Sequence, residues 1–276
     1  MNYMEKSNNL IYIEKRLGLF LIANRFKTIY DNESYKLFKL FCLCLVPNSK
    51  APLYKIKQFL NTKGIQRLIE LETKKFLNED GSWNFEKIFE YIDTFEKASD
   101  LYIGTPFELI DEILDHIPEY IFDCFLLDKI TKEGRLNRIM DTACGRGRFL
   151  YSVKKRMMTA GFDEKYIIEH LYGIDIDIKS ALLTSAIIDP KGLCEKTNIY
   201  CADTLNNYPK ELENMKFDVI VGNPPYQEID KETGKSKPAG ANLYSKFIIK
   251  GYELLSGNGL LTHITPRGWF SGTNKV

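Results

Sequence analysis

The segment Asp218-Val-Ile-Val-Gly-Asn223-Pro224-Pro225-Tyr226 ends an apolar run with an amide, two prolines and an aromatic ring. Asn223 offers a side-chain oxygen. Pro224 offers a carbonyl with no N–H of its own, and paired prolines stiffen the turn that carries both. Two converging acceptors suit a planar –NH₂ group whose lone pair must be turned toward an electrophile. Tyr226 could stack on the ring bearing that amine. The plainer alternative is a rigid proline turn with an asparagine cap.

Three carboxylates precede this segment at comparable places. Asp141 opens Asp141-Thr142-Ala143-Cys144-Gly145-Arg146-Gly147-Arg148-Phe149-Leu150, between an apolar run and an amphipathic one. Gly145 and Gly147 allow a tight turn and close backbone approach, and free N–H groups at a following helix start can orient polar parts of a cofactor. Many ordinary turns carry Gly-x-Gly, and the third glycine of the dinucleotide fingerprint is missing. Asp175, in Tyr172-Gly173-Ile174-Asp175-Ile176-Asp177, is placed to accept from both hydroxyls of a ribose. Asp177 reads as a helix cap. Asp203 follows Cys201-Ala202 and suits either an adenine amine or a cap of its own loop.

The elements that must position these residues alternate in type. Strands are expected at 136–141, 170–175, 197–202, 217–222 and 259–264, with helices at 149–160, about 178–188 and 243–255 between them. Such alternation implies a mostly parallel sheet covered on both faces, with ligands at the carboxyl ends of its strands. Thr105-Pro106 is expected to start a helix, threonine as cap and proline in the first turn. Phe107, Ile110, Ile113, Leu114 and Ile117 form its buried stripe. Before it, 10–95 reads as helical, including amphipathic stretches at about 59–77 and 85–95. Trp83 anchors the start of the second stretch. The expected division is a helical region over 1–98 and an α/β domain over 99–276.

With 44% hydrophobic and 27% charged residues, the composition is that of a soluble globular chain. A net charge of +1 hides an asymmetry. Residues 1–64 carry 11 Lys/Arg against 4 Asp/Glu, whereas residues 65–127 carry 5 against 15. The first segment is therefore compatible with a polyanionic partner, or with a plain solvated surface. Six cysteines and three histidines without paired spacing argue against a metal site and for reduced thiols in a cytoplasmic protein. No apolar run in the N-terminal region is long enough for a membrane span, so no membrane partner is expected.

Asp141–Leu150, followed 73 residues later by Asn223-Pro-Pro-Tyr226, resembles the N6-adenine-specific DNA methyltransferases of bacterial restriction–modification systems, with the motif order of the gamma group. The likeness extends over about 100–270. It implies a Rossmann-like S-adenosylmethionine-dependent methyltransferase fold and methyl transfer to N6 of adenine in DNA. The resemblance places Thr105 and Pro106 in the cofactor pocket, and the methionine moiety against the turn of Asp141, Ala143, Cys144, Gly145, Gly147 and Phe149. Asp175 corresponds to the ribose ligand, with Ile176 beside the adenine ring and Asp203 and Thr204 near its amine. Asn223 touches cofactor and target, and Asn223, Pro224, Pro225 and Tyr226 form the catalytic set. The implied partners are double-stranded DNA with a flipped adenine and a separate recognition domain or subunit, and no metal is required. Members of this order continue with further core strands and a recognition region, so the core is expected to be incomplete at the C-terminus. The chain is then a fragment or one part of a split enzyme, expected to bind the donor but methylate DNA poorly alone. Asn-Pro-Pro-Tyr also occurs in enzymes that modify the glutamine of release factors and in some RNA adenine methyltransferases. A non-catalytic DNA-binding or assembly module is the further alternative.

Overall fold

Short apolar runs separated by amphipathic ones build a five-stranded, all-parallel sheet in the order β3-β2-β1-β4-β5. The computed structural model describes residues 67, 70–71, 73–96, 104–123, 138–194, 196–226 and 243–267. The basic segment 1–64 and most of the amphipathic stretch at 59–77 lie outside the described residues. In chain order the elements are α1 (Phe85–Glu96), α2 (Phe107–Asp115), β1 (Ile139–Asp141), α3 (Arg148–Thr159), α4 (Glu164–His170) and β2 (Leu171–Asp175). They continue with α5 (Ile178–Ile188), β3 (Asn198–Cys201), β4 (Phe217–Gly222), α6 (Leu243–Leu254) and β5 (Leu255–His263).

Alternation along each strand divides the core. Ile139, Val219 and Val221 face one side with Ile110 and Leu114 of α2 and Leu150, Val153 and Met157 of α3. Met140, Ile174, Phe217 and Ile220 face the other, with Leu254 of α6. Phe217, Val219, Ile220 and Val221 are fully buried, each contributing roughly 1.5–3 kcal/mol. Burial on both faces is why β4 reads as a continuous apolar run rather than an alternating one. Helix α5 is enclosed too: Ala181 and Ile188 meet the sheet-side core, while Leu183, Ala186 and Ile187 meet Ile88, Phe89 and Ile92 of α1. From Ser180 to Ile188 every residue of this helix is buried, its hydroxyl side chains included.

Strand order reverses between β1 and β4. Chain crossovers run outward in both directions from that point and leave a crevice at the carboxyl ends of these two strands. Asp141 ends β1, Asp175 ends β2 and Asn223 follows β4 directly, so the fold collects them at one end of the sheet.

Four local expectations are corrected. Thr105 does not cap α2: Pro106 is the N-cap residue, its carbonyl accepts from the Ile110 N–H at 3.1 Å, and no side-chain cap bond forms. The Thr105 hydroxyl is engaged elsewhere. Helix α4 is additional, started by Asp163, whose carboxylate accepts from the Tyr166 N–H. Its seven residues are too few for a clear apolar period. Strand β5 begins at Leu255, earlier than expected, because a register shift between Phe217 and Val219 of β4 absorbs the Gly257-Asn258-Gly259 stretch. The amphipathic stretch at 59–77 stops short of Leu77, which bridges Trp83 in antiparallel fashion across a turn.

Candidate cofactor pocket and active site

The turn after β1 is shaped by its two glycines. Gly145 and Gly147 adopt φ of +52° and +81°, which lets the chain reverse within four residues and start α3. The Gly147 N–H donates to the Cys144 carbonyl at 2.8 Å, and the Thr184 hydroxyl of α5 donates to the Gly145 carbonyl at 3.0 Å. The turn is thus fastened from beneath by α5, a contact with no sequence signal.

Two carboxylates bracket it. Asp141 is 2% exposed, and its Oδ1 accepts from the Ala143 N–H at 3.0 Å. Burial, reinforced by the neighbouring Asp175, outweighs that hydrogen bond and pushes its pKa up to about 7. Asp175 accepts from the Gly145 N–H at 2.8 Å through Oδ2 and from the Asp177 N–H at 2.8 Å through Oδ1. Burial is again the main influence and raises its pKa to about 6. Burial, and then the same two acids, raise the Cys144 thiol well above its ordinary value, which favours its protonated form. Each carboxylate oxygen that receives one backbone donor keeps a second lone pair for a ligand.

Close packing joins this turn to the Asn223 loop. Gly222, at φ +147°, lies so near Asp141 that a Cβ there would sit 2.7 Å from Oδ1. Beyond it, the Asn223 Nδ2 donates to the Thr105 hydroxyl oxygen at 3.2 Å. The Asn223 Oδ1 is buried and no hydrogen bond reaches it. Pro224 is buried, whereas Pro225 and Tyr226 are exposed at the rim. The Tyr226 phenol is raised by partial burial and partly held down by the adjacent Asn223 amide. Its carbonyl accepts from the Leu243 N–H at 3.1 Å, which ties the loop to the start of α6.

The other anticipated residues divide by role. Ile176 is 70% exposed at the end of β2, free to form a pocket wall. Phe149, the second residue of α3, is buried in the core cluster behind the turn. Asp203 caps its own loop, accepting from the Leu205 and Asn206 N–H groups at 2.9 and 3.1 Å. Thr204 is buried and donates to the Thr142 carbonyl at 2.6 Å, pinning that loop to the turn after β1. Asp177 caps α5 as expected, through the N–H and hydroxyl of Ser180. Cys144, Cys194 and Cys201 are free thiols. Among the described residues no His/Cys/Asp/Glu group could hold a metal ion, and no helix is long and apolar enough to cross a membrane.

One residue escaped the sequence reading. His263, paired with Gly222 at the end of β5, has both ring nitrogens buried without hydrogen bonds. Burial lowers its pKa to about 4, so the ring is neutral near pH 7. An isolated histidine in an apolar strand carries no signal of this placement.

Residues 169–276 match the family described as Eco57I restriction-modification methylase. Over 94% of its length the chain is similar to a Listeria monocytogenes protein described as a class I S-adenosylmethionine-dependent methyltransferase, with a TM-score of 0.50 and 19% identity. Over 86% of its length it is similar to the methyltransferase subunit of a type I restriction-modification system from Streptococcus thermophilus, with a TM-score of 0.51 and 17% identity. It spans 76% of the first of these chains and 49% of the second. At such identities the likeness is one of fold: the parallel sheet and its helices are arranged as in these two chains.

Proposed function

We propose that this chain transfers a methyl group from S-adenosylmethionine to the N6 amine of adenine in DNA, in the cytoplasm and as part of restriction–modification. The observation that carries this reading is the buried, unsatisfied Asn223 Oδ1 at the switch point of the sheet. A buried acceptor left without a partner costs about 1–3 kcal/mol, so the site is arranged to receive a donor such as an amine. The match of residues 169–276 to a restriction-modification methylase family supports DNA as the substrate.

The residues present fit the donor. Asp175 retains acceptor capacity for a ribose diol, and Ile176 offers an apolar face beside it. Asp141, buried and close to neutrality in pKa, favours a cationic group, since a nearby positive charge stabilises its ionised form. Asp203 and Thr204 close the side toward β3. When bound, S-adenosylmethionine supplies a methyl group on a positively charged sulfur.

The chain's own residues then act on the target. Asn223 Oδ1 and the Pro224 carbonyl accept from the two N–H bonds of the amine, drawing its lone pair out of conjugation with the ring. Tyr226, at the rim, stacks on the base once it has left the duplex. No strong base is needed: the nitrogen would acquire its new bond as the methyl–sulfur bond breaks, the electron pair staying on sulfur as a neutral thioether, and the acidified amine proton would then pass to solvent. Alignment and polarisation supply most of the acceleration.

Radiolabelled methyl transfer from the donor to unmethylated duplex DNA, RNA and a release factor tests the proposal. Label on adenine N6 of duplex DNA is the expected result. Label on RNA or glutamine would redirect the reading, and failure of the folded chain to bind the donor would overturn it.

A further inference from the structure

Residues 104–106 form a short strap outside regular elements, immediately before α2. The family resemblance puts its Thr105 and Pro106 in the donor pocket, and a side chain from the turn after β1 seats it. Arg148 is the first residue of α3 and follows Gly147 directly. A Cβ on Gly104 would lie 3.2, 3.4 and 3.5 Å from the Arg148 Nε, Cζ and Nη2, so the bare Gly104 backbone rests on the guanidinium.

That guanidinium is itself held from several sides. Its Nη2 donates to both carboxylate oxygens of Asp93 in α1 at 2.7 Å. Its Cζ lies 5.0 Å from the Phe89 ring of α1 and 4.9 Å from the Phe107 ring that opens α2. The two rings meet edge to face at 5.0 Å, and Tyr151 of α3 packs against both. The Arg148 side chain is 12% exposed. A cation so enclosed needs its carboxylate and its ring faces, and together these fix its plane. A lysine ammonium would keep the charge but not the flat surface under Gly104. Asp93 also acts on the turn itself: burial lowers the Arg146 pKa, and Asp177, Asp93 and Asp175 around that residue oppose the shift.

We infer that Arg148 is a positioning residue for the methyl donor: its guanidinium, fixed by Asp93 and the two phenylalanine rings, holds the 104–106 strap against the turn after β1. The inference deepens the methyl-transfer reading and rests on it for the identity of the ligand, though not for the geometry. Arg148 acts through the strap and touches neither donor nor target. Helix α1 thereby works with the donor pocket, although it lies before residue 98. A donor that binds only the seated strap has an apparent dissociation constant that rises as the seated fraction falls.

Two measurements on the full chain test this: hydrogen–deuterium exchange over residues 104–110, and calorimetric titration with S-adenosylmethionine well below the melting temperature. Arg148→Lys should speed the exchange and weaken the donor about 3–10-fold, the scale of a lost stacked cation. Asp93→Ala should do the same to a smaller degree, about 2–5-fold, the scale of a half-exposed ion pair. Asp93→Glu should keep the wild-type values. Unchanged exchange over 104–110 in both Arg148→Lys and Asp93→Ala overturns the inference. So does unchanged donor affinity despite faster exchange, because a lowered melting temperature alone is what a merely structural contact would give. A folded wild-type chain that does not bind the donor sinks the methyl-transfer reading, and the exchange measurement then decides by itself whether Arg148 seats the strap. Should Arg148→Lys fail to fold, Asp93→Ala, a change at a half-exposed carboxylate, is read by the same two measurements.

Discussion

The reactive end of the site depends on groups that pull in different directions, and single substitutions should separate them. On the proposed mechanism, Asn223→Ala removes one of two acceptors for the target amine and leaves Asp141 and Asp175 in place. It should reduce methyl transfer at least ~100-fold, by the scale of losing one preorganised polar partner, with donor binding little changed by calorimetry. Asp175→Ala should do the reverse, weakening the donor by roughly 1–3 kcal/mol, because it removes the charged acceptor that the proposal assigns to the ribose. The two acids also give a pH signature. Their folded pKa values, about 7 and about 6, lie above the ordinary carboxylate value near ~3.9. The ligand-free fold therefore holds more protons than the unfolded chain between those limits, so its stability should fall as pH rises through that window. A cationic donor favours the ionised acids. Its affinity should rise from pH 5 to pH 8 with proton release on binding, and Asp141→Asn should flatten the profile. Calorimetry in buffers of different ionisation enthalpy measures that release.

At the scale of elements, α1 packs on α5 through Ile88, Phe89 and Ile92 and is joined to α3 by one ion pair, Arg148–Asp93. Arg148 is 12% exposed and Asp93 50% exposed, so solvent screens their ion pair substantially. Asp93→Ala should cost no more than about 1 kcal/mol. Arg148→Ala should cost more, since it also removes the side chain packed between Phe89 and Phe107. Urea melts of the two single variants and the double variant measure the coupling, and equal losses in the single variants would assign the whole effect to the ion pair. The loop after β4 depends on a tighter contact. Gly222→Ala would drive a methyl group against the Asp141 carboxylate, with a backbone φ of +147° that a side chain rarely adopts. This variant should lose donor binding together with thermal stability, whereas Asn223→Ala should keep both.

For the molecule as a whole, the segment 1–64 has a net charge of +7 from 11 basic and 4 acidic residues. Such a segment should give DNA association without base preference that weakens steeply with salt. Fluorescence anisotropy on an unrelated duplex from about 50 to about 300 mM salt reads the slope. Replacing four of these lysines by glutamine should flatten it, and an unchanged slope would place the DNA contact elsewhere.

Much of this was legible in the residues. The alternation of apolar runs predicts the parallel sheet, and the helix at 178–188 falls at Ile178–Ile188. Asp141, Asp175 and Asn223 were selected by type and by position after strands, and local rules suffice because strand ends in such sheets share one edge. Asp177 is a further local success, since a cap bonds within three residues of itself. What the sequence could not determine were the contacts between distant segments. The Asn223 amide meets Thr105, 118 residues away; the Gly145 carbonyl is held by Thr184, 39 residues on; and Gly222 is required by a carboxylate on another strand. The neutrality of His263 and the raised pKa values of the two acids follow from burial, which packing sets and residue type does not. Sequence by itself determined which groups stand at the carboxyl ends of the strands; only the tertiary structure decided which atoms of those groups already have a protein partner and which have none, because those partners come from distant segments.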